Sequence, residues 1–172
     1  MANLIWENYG HLVIFLGAFV LIVSLYPWIK RIVKRKKHQQ LMKKSGIKDI
    51  DRMSGYEFEE YLKVLFKALG YRPMVTKESG DYGADVILKG ANKIVIQAKR
   101  YGYKNNVSMD AVREVFAAKS YYQADEAWVI TNSYFTKQAK ELAIACDIKI
   151  LNRYKLEKFI VRINPEQILK EV

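Results

Sequence analysis

From Asn8 to Ile29 the chain carries no Asp, Glu, Lys or Arg. As a helix these residues extend about 33 Å, enough to cross a bilayer core of about 30 Å. The run "HLVIFLGAFVLIVSLYPWI" is longer than a buried helix of a soluble protein needs, so it reads as a transmembrane anchor. A cleaved signal peptide is the competing reading. Only Glu7 is charged ahead of the run, however, and no small-x-small cleavage site closes it. The segment "KRIVKRKK" follows at once, and an excess of Lys and Arg marks the cytoplasmic flank of a span. The expected arrangement is a single-pass anchor over residues 1–30 in the cell membrane, with its N-terminus outside and Tyr26 and Trp28 at an interface. A basic juxtamembrane segment and linker then occupies 31–52, and a cytoplasmic domain 53–172.

The formal charge of +11 is unevenly spread. Lys30 to Lys44 holds eight basic residues and no acidic one, whereas Ser45 to Val172 holds 21 basic and 17 acidic residues. Topology and anionic lipid headgroups explain most of this basicity. The remaining +4 permits a polyanionic partner without requiring one. Cys146 is the only cysteine and the histidines are His11 and His38. That excludes an intrachain disulfide and leaves no material for a zinc site or a Cys/His catalytic pair. Any metal would have to be held by oxygen ligands.

Beyond the basic segment, "SGYEFEEYLKVLFKALGY" has Ser54 as N-cap, Gly70 as stop, and apolar residues at Phe58, Leu62, Leu65 and Leu69, the pattern of an amphipathic helix. "RPMVTK", "ADVILK" and "KIVIQAK" predict three strands, the last two joined by "KGANK", whose Gly and Asn suit a tight reversal. "SMDAVREVFAAKSYYQA" predicts a helix, "EAWVIT" a strand, "TKQAKELAIAC" a helix, "IKIL" a strand and "RYKLEKFIVRI" a last helix. The order αβββαβαβα predicts an α/β domain, a mixed sheet covered by helices on both faces.

The hairpin "GADVILKGANKIVIQAKRY" is apolar except where it should be easiest to bury. A reversal centred on Ala91 gives opposed residues a constant index sum of about 182, which sets Asp85 across from Gln97. Period-two alternation puts Lys99 on the same face. A carboxylate, an amide and an ammonium gathered at one end of an apolar hairpin are costly unless something satisfies them. The plainer explanation is an exposed Asp–Lys cross-strand pair. Two features weigh against it. Gly80 and Gly83 let backbone approach closely just before Asp85. Glu59, unlike the capping-box residue Glu57 or the solvent-side Glu60, lies at the border of the buried helical stripe, where a carboxylate needs a ligand or a partner. Two carboxylates and an amide oxygen suit Mg²⁺, with Mn²⁺ as a substitute. Such an ion with a neighbouring ammonium is the minimum kit for phosphodiester hydrolysis.

The segments "YEFEEYL", "SGDYGADVIL", "IVIQAKRY" and "VITNSYFTKQAKELA" together resemble the Mrr-type restriction endonuclease catalytic domain, a branch of the PD-(D/E)xK nucleases with a D…QxK motif. The resemblance covers about Met53 to Ile160. It implies a restriction-endonuclease-like αβββαβ core, Mg²⁺-dependent cleavage of DNA, and catalytic positions at Asp85, Gln97 and Lys99, with Glu59 on the helix. Asp85, Glu59 and Gln97 are then the expected metal ligands. Arg100, Tyr101 and Lys104, just beyond the motif strand, are expected DNA-backbone contacts. In "TNSYFT", Ser133 or Thr136 is expected to cap the following helix, and Ser133 at that same helix N-terminus is a candidate to meet a DNA phosphate. Trp128 belongs to the core. Two other readings remain open at this point: a membrane-tethered nucleic-acid-binding adaptor without activity, and a junction-resolving nuclease acting as a homodimer.

Overall fold

The computed structural model describes the backbone of residues 2–75, 82–102 and 105–165, and their side chains apart from 2–14, 17, 35, 38 and 75. By internal contacts the chain divides into two compact units, Met1–Leu41 and Met42–Val172. The described residues of the first are helical, within α1 (Ala2–Lys43). Its described apolar side chains, from Phe15 through Leu21 to Ile29, are exposed. Among the described residues no helix is long and apolar enough to cross a membrane. The side chains in the first half of the expected span, up to residue 14, lie outside the described ones.

The second unit carries α2 (Ile47–Ile50), α3 (Gly55–Ala68), β1 (Arg72–Val75), β2 (Val86–Lys89), β3 (Ile94–Lys99), α4 (Asp110–Tyr121), β4 (Glu126–Thr131), α5 (Lys137–Ala145), β5 (Lys149–Leu151) and α6 (Arg153–Ile163). Among the described residues the strands form one five-stranded sheet in chain order, β1-β2-β3-β4-β5. The first three strands pair antiparallel, and β3-β4 and β4-β5 pair parallel. This is the mixed α/β architecture expected from the alternation of strand-period and helix-period segments.

Each face of the sheet has its own core. Val86, Leu88, Ile96, Trp128 and Ile130 pack with α3 and α6, while Ile87, Val95, Val129 and Ala127 pack with α4 and α5. Neighbouring residues of one strand divide between the two faces, as the pleat demands. Helix α3 is started by the reciprocal capping box: the Ser54 hydroxyl accepts from Glu57 N–H, and the Glu57 carboxylate accepts from Ser54 N–H. Its buried face is Phe58, Tyr61, Leu62, Leu65 and Phe66.

The compact unit starts earlier than Ser54. Met42, Ile47 and Ile50 are buried in the α3/α6 core, so the later part of 31–52 belongs to the folded unit rather than to a linker. The Asp49 carboxylate accepts from Gly46 N–H and fixes this short turn. A four-residue helix with two buried isoleucines is too brief to leave a periodic signature.

Asp51, immediately after α2, closes a tie across the unit. The Arg153 guanidinium grips its carboxylate in a two-pronged pair, Nη1–Oδ1 at 2.7 Å and Nη2–Oδ2 at 2.9 Å. Asn132 Nδ2 donates to the same carboxylate at 2.9 Å. Burial pushes the Asp51 carboxyl up, but the hydrogen bonds from Arg153 and Asn132 and the Arg153 charge outweigh it and hold the group below its ordinary value. A carboxyl with a lowered folded-state pKa stabilises the protein above its unfolded-state value, near pH 4, and loses that contribution as pH falls through the folded value. Denaturation midpoints should therefore fall on acidification below about pH 4. Asp51→Asn should flatten that part of the profile relative to the parent, which urea titrations across the acid range would measure.

Candidate active site

The β2–β3 register Val86↔Ile96 has the index sum 182, and continued by one residue it sets Asp85 opposite Gln97. Asp85 grips both neighbours of Gln97. Its N–H donates to the Ile96 carbonyl at 2.9 Å, and its Oδ2 accepts from Ala98 N–H at 2.6 Å. The β-ladder and the carboxylate together thus fix where this side chain stands. Gln97 and Lys99 belong with Val95 to the face that α4 covers, and Asp85 contributes to the field at the Lys99 ammonium. The structure brings Asp85, Gln97 and Lys99 together at the carboxyl end of β3.

The cost anticipated for this trio is met for two of its members. Asp85 has the Ala98 N–H, and Lys99 Nζ is paired at 2.7 Å with Oε2 of Glu114 from α4. Burial works against the Lys99 charge, but the hydrogen bond and charge of Glu114, then the charge of Asp85, outweigh it and move the ammonium above its ordinary value. Gln97 is different. It is only 6% exposed, and its Oε1 has no hydrogen-bond partner among the described residues. A buried acceptor left unmade costs about 1–3 kcal/mol, and an amide oxygen beside a carboxylate is the donor type that a hard cation takes. Among the described residues no three His, Cys, Asp or Glu gather as a metal site, so a cation here would need the Gln97 oxygen as well as Asp85.

Glu59 sits half-buried on α3, the helix that packs on the other face of the sheet. The trio and Glu59 are therefore delivered by elements on opposite faces. Arg100 and Tyr101 follow Lys99 directly, both partly buried, with Arg100 Nε buried and without a hydrogen-bond partner among the described residues. Asn132 clamps the Tyr101 backbone, its Oδ1 accepting from Tyr101 N–H and its Nδ2 donating to Tyr101 O, each at 2.9 Å. Lys104 lies outside the described residues.

Ser133 corrects an expectation. It is fully buried, and its hydroxyl donates to the Asn105 carbonyl at 2.7 Å, so it cannot meet a DNA phosphate. Of the two expected caps for α5, Thr136 takes the role, accepting from Ala139 N–H, and Ser133 does not. The hydroxyl instead holds the β3–α4 connection to the end of β4.

Sequence reasoning missed Glu114. The signal was present, since Glu114 stands three residues after buried Ala111 and four before buried Ala118, the same border position that singled out Glu59. Gly83, by contrast, makes the close approach expected of it, with a φ of +86° and its backbone against α4. A Cβ there would stand 2.5 Å from the Glu114 carbonyl oxygen, a separation that no side chain tolerates.

A five-stranded mixed sheet flanked by helices, with a carboxylate, an amide and a lysine at the end of its central hairpin, defines a restriction-endonuclease-like domain. The chain belongs to the Mrr_cat restriction endonuclease family, whose sequence profile matches residues 50–160, more than half of its length. Its fold is similar to that of the DNA modification-dependent restriction endonuclease AspBHI, with a TM-score of 0.53 at 19% identity, covering 77% of this chain and 38% of that one. It is also similar to AF1548, a protein of unknown function, with a TM-score of 0.51 at 16% identity over 58% of each chain. The chain thus spans less than two thirds of the length of either solved structure. No curated protein matches the sequence significantly.

Proposed function

We propose that this protein is a membrane-anchored, Mg²⁺-dependent DNA endonuclease that hydrolyses phosphodiester bonds at the Asp85–Gln97–Lys99 site. The observation that carries the proposal is the Gln97 amide oxygen, buried and without a partner among the described residues beside an anchored carboxylate, in a chain whose family is that of restriction endonucleases. Asp85 and Gln97 would hold the ion, while Glu59 stands on α3 across the sheet. Bound there, Mg²⁺ supplies a more acidic water and stabilises charge on a phosphoryl oxygen. The residues' own work is positional and electrostatic. Asp85, held by Ala98 N–H, fixes the edge against which the phosphate is set, and the Lys99 ammonium faces the negative charge that develops there. Arg100, Tyr101 and Lys104 would carry the flanking DNA backbone.

The uncharged run from Asn8 to Ile29, followed by its basic flank, supports anchoring in the cell membrane with the nuclease unit in the cytoplasm. The exposed apolar side chains of α1 are what a lipid-facing helix presents.

The test incubates the full chain in detergent with supercoiled plasmid and Mg²⁺, Mn²⁺ or EDTA, and measures DNA binding alongside. Nicking with either ion and none in EDTA is expected. Binding that persists in EDTA without cleavage under any condition would replace the nuclease by an adaptor, and cleavage confined to branched DNA would make it a junction resolvase.

A further inference from the structure

Lys99 Nζ is bonded to Glu114 at 2.7 Å, and the β2–β3 register sets Asp85 on the same face of the sheet. The Glu114 side of this arrangement is built into the fold. Helix α4 is seated on the sheet by Val112 and Val115, both fully buried, with Ala111 and Ala118 small enough to let it come close. Gly83, two residues before Asp85, meets the Glu114 backbone with no room for a Cβ. The loop that delivers Asp85 is therefore stacked directly on the residue that bonds Lys99. The neighbouring charge of the same turn, Arg113, is engaged by Asp110 and does not compete for Glu114. An exposed lysine would sample many rotamers, whereas this one is tethered at 2.7 Å with only a quarter of its side chain exposed.

We infer that Glu114 is a positioning residue that fixes the Lys99 ammonium beside Asp85 and Gln97, through a contact that requires glycine at position 83. The inference rests on the nuclease reading above, deepening it by a residue outside the D…QxK pattern. A partner that orients a site residue from outside the reacting groups is commonly worth 10–100-fold in activity, roughly the range expected here. Glu114 touches neither DNA nor ion in this assignment, so the loss should fall on the chemical step.

The experiment compares the full-length parent with Glu114→Gln and Glu114→Asp, measuring single-turnover cleavage and DNA affinity separately, with near-ultraviolet circular dichroism to verify the fold. Glu114→Gln should slow cleavage about 10–100-fold with affinity within about twofold of the parent, and Glu114→Asp should recover most of the rate. An unchanged rate would overturn the inference. A faster rate would overturn it too, because Glu114 would then be a latch that restrains Lys99. A second readout does not depend on nuclease activity: the acylation rate of Lys99 at one fixed pH, followed by peptide mass spectrometry. Glu114→Gln should raise it several-fold. If the parent cuts no DNA, the proposed function fails while this labelling still judges Glu114, and an unchanged labelling rate would overturn the contact itself.

Discussion

Asp85→Asn should abolish metal-dependent cleavage, lowering the rate by on the order of a thousandfold or more, while the protein stays folded. The amide preserves the size of the side chain, and its oxygen can still accept the Ala98 N–H that Oδ2 accepts in the parent at 2.6 Å. The cross-strand tie survives and only the negative charge is lost. In the proposed site that charge would be the anionic ligand contributed by the hairpin, since its neighbour there is the neutral Gln97. Asp85→Ala is the less informative variant because it also strips the Ala98 N–H of its partner. Plasmid cleavage beside thermal unfolding of the same preparation separates the two effects. Activity equal to the parent's in Asp85→Asn would remove Asp85 from the chemistry.

The second large effect is on stability and falls away from the Asp85–Gln97–Lys99 trio. Arg153→Ala should destabilise the protein by about 3 kcal/mol, at the lower end of what breaking a buried ion pair costs. Arg153 has 12% of its side chain exposed and Asp51 25%, so water can relieve only part of the uncompensated charge. The loss extends beyond one pair, because Arg153 Nη1 also donates to the Asn132 carbonyl at 3.1 Å. Asn132 in turn braces Tyr101, two residues beyond Lys99. Urea unfolding should show a lower midpoint, and a variant indistinguishable from the parent would refute the tie.

These two residues illustrate what the amino-acid order discloses and what it hides. Asp85, Gln97 and Lys99 stand out because they interrupt runs whose alternation is otherwise unbroken, and the short Gly-Ala-Asn reversal fixes their register from local information alone. Arg153 and Asp51 are 102 residues apart, and nothing in either neighbourhood announces the other. Ile47 and Ile50 sit in too short a helix to show a period, so the start of the folded unit is visible only once they are seen in the core. Ser133 misleads because "TNSYFT" offers several hydroxyl-bearing residues near one helix start, and the choice between Ser133 and Thr136 depends on the distant Asn105 carbonyl. Glu114 was readable by the spacing rule that found Glu59. It escaped because a carboxylate in an ordinary amphipathic helix looks like part of a solvated face until the strand beside it is known to end in Lys99.

The most direct measurement is single-turnover cleavage of supercoiled plasmid in Mg²⁺ by the full-length protein beside Lys99→Ala, both purified identically and matched for DNA binding. Nicking by the parent that falls by at least about a hundredfold in the variant is the outcome expected of a nuclease whose chemistry runs through the end of β3. Equal nicking by the two proteins would contradict it, placing the activity elsewhere in the molecule or in a contaminant.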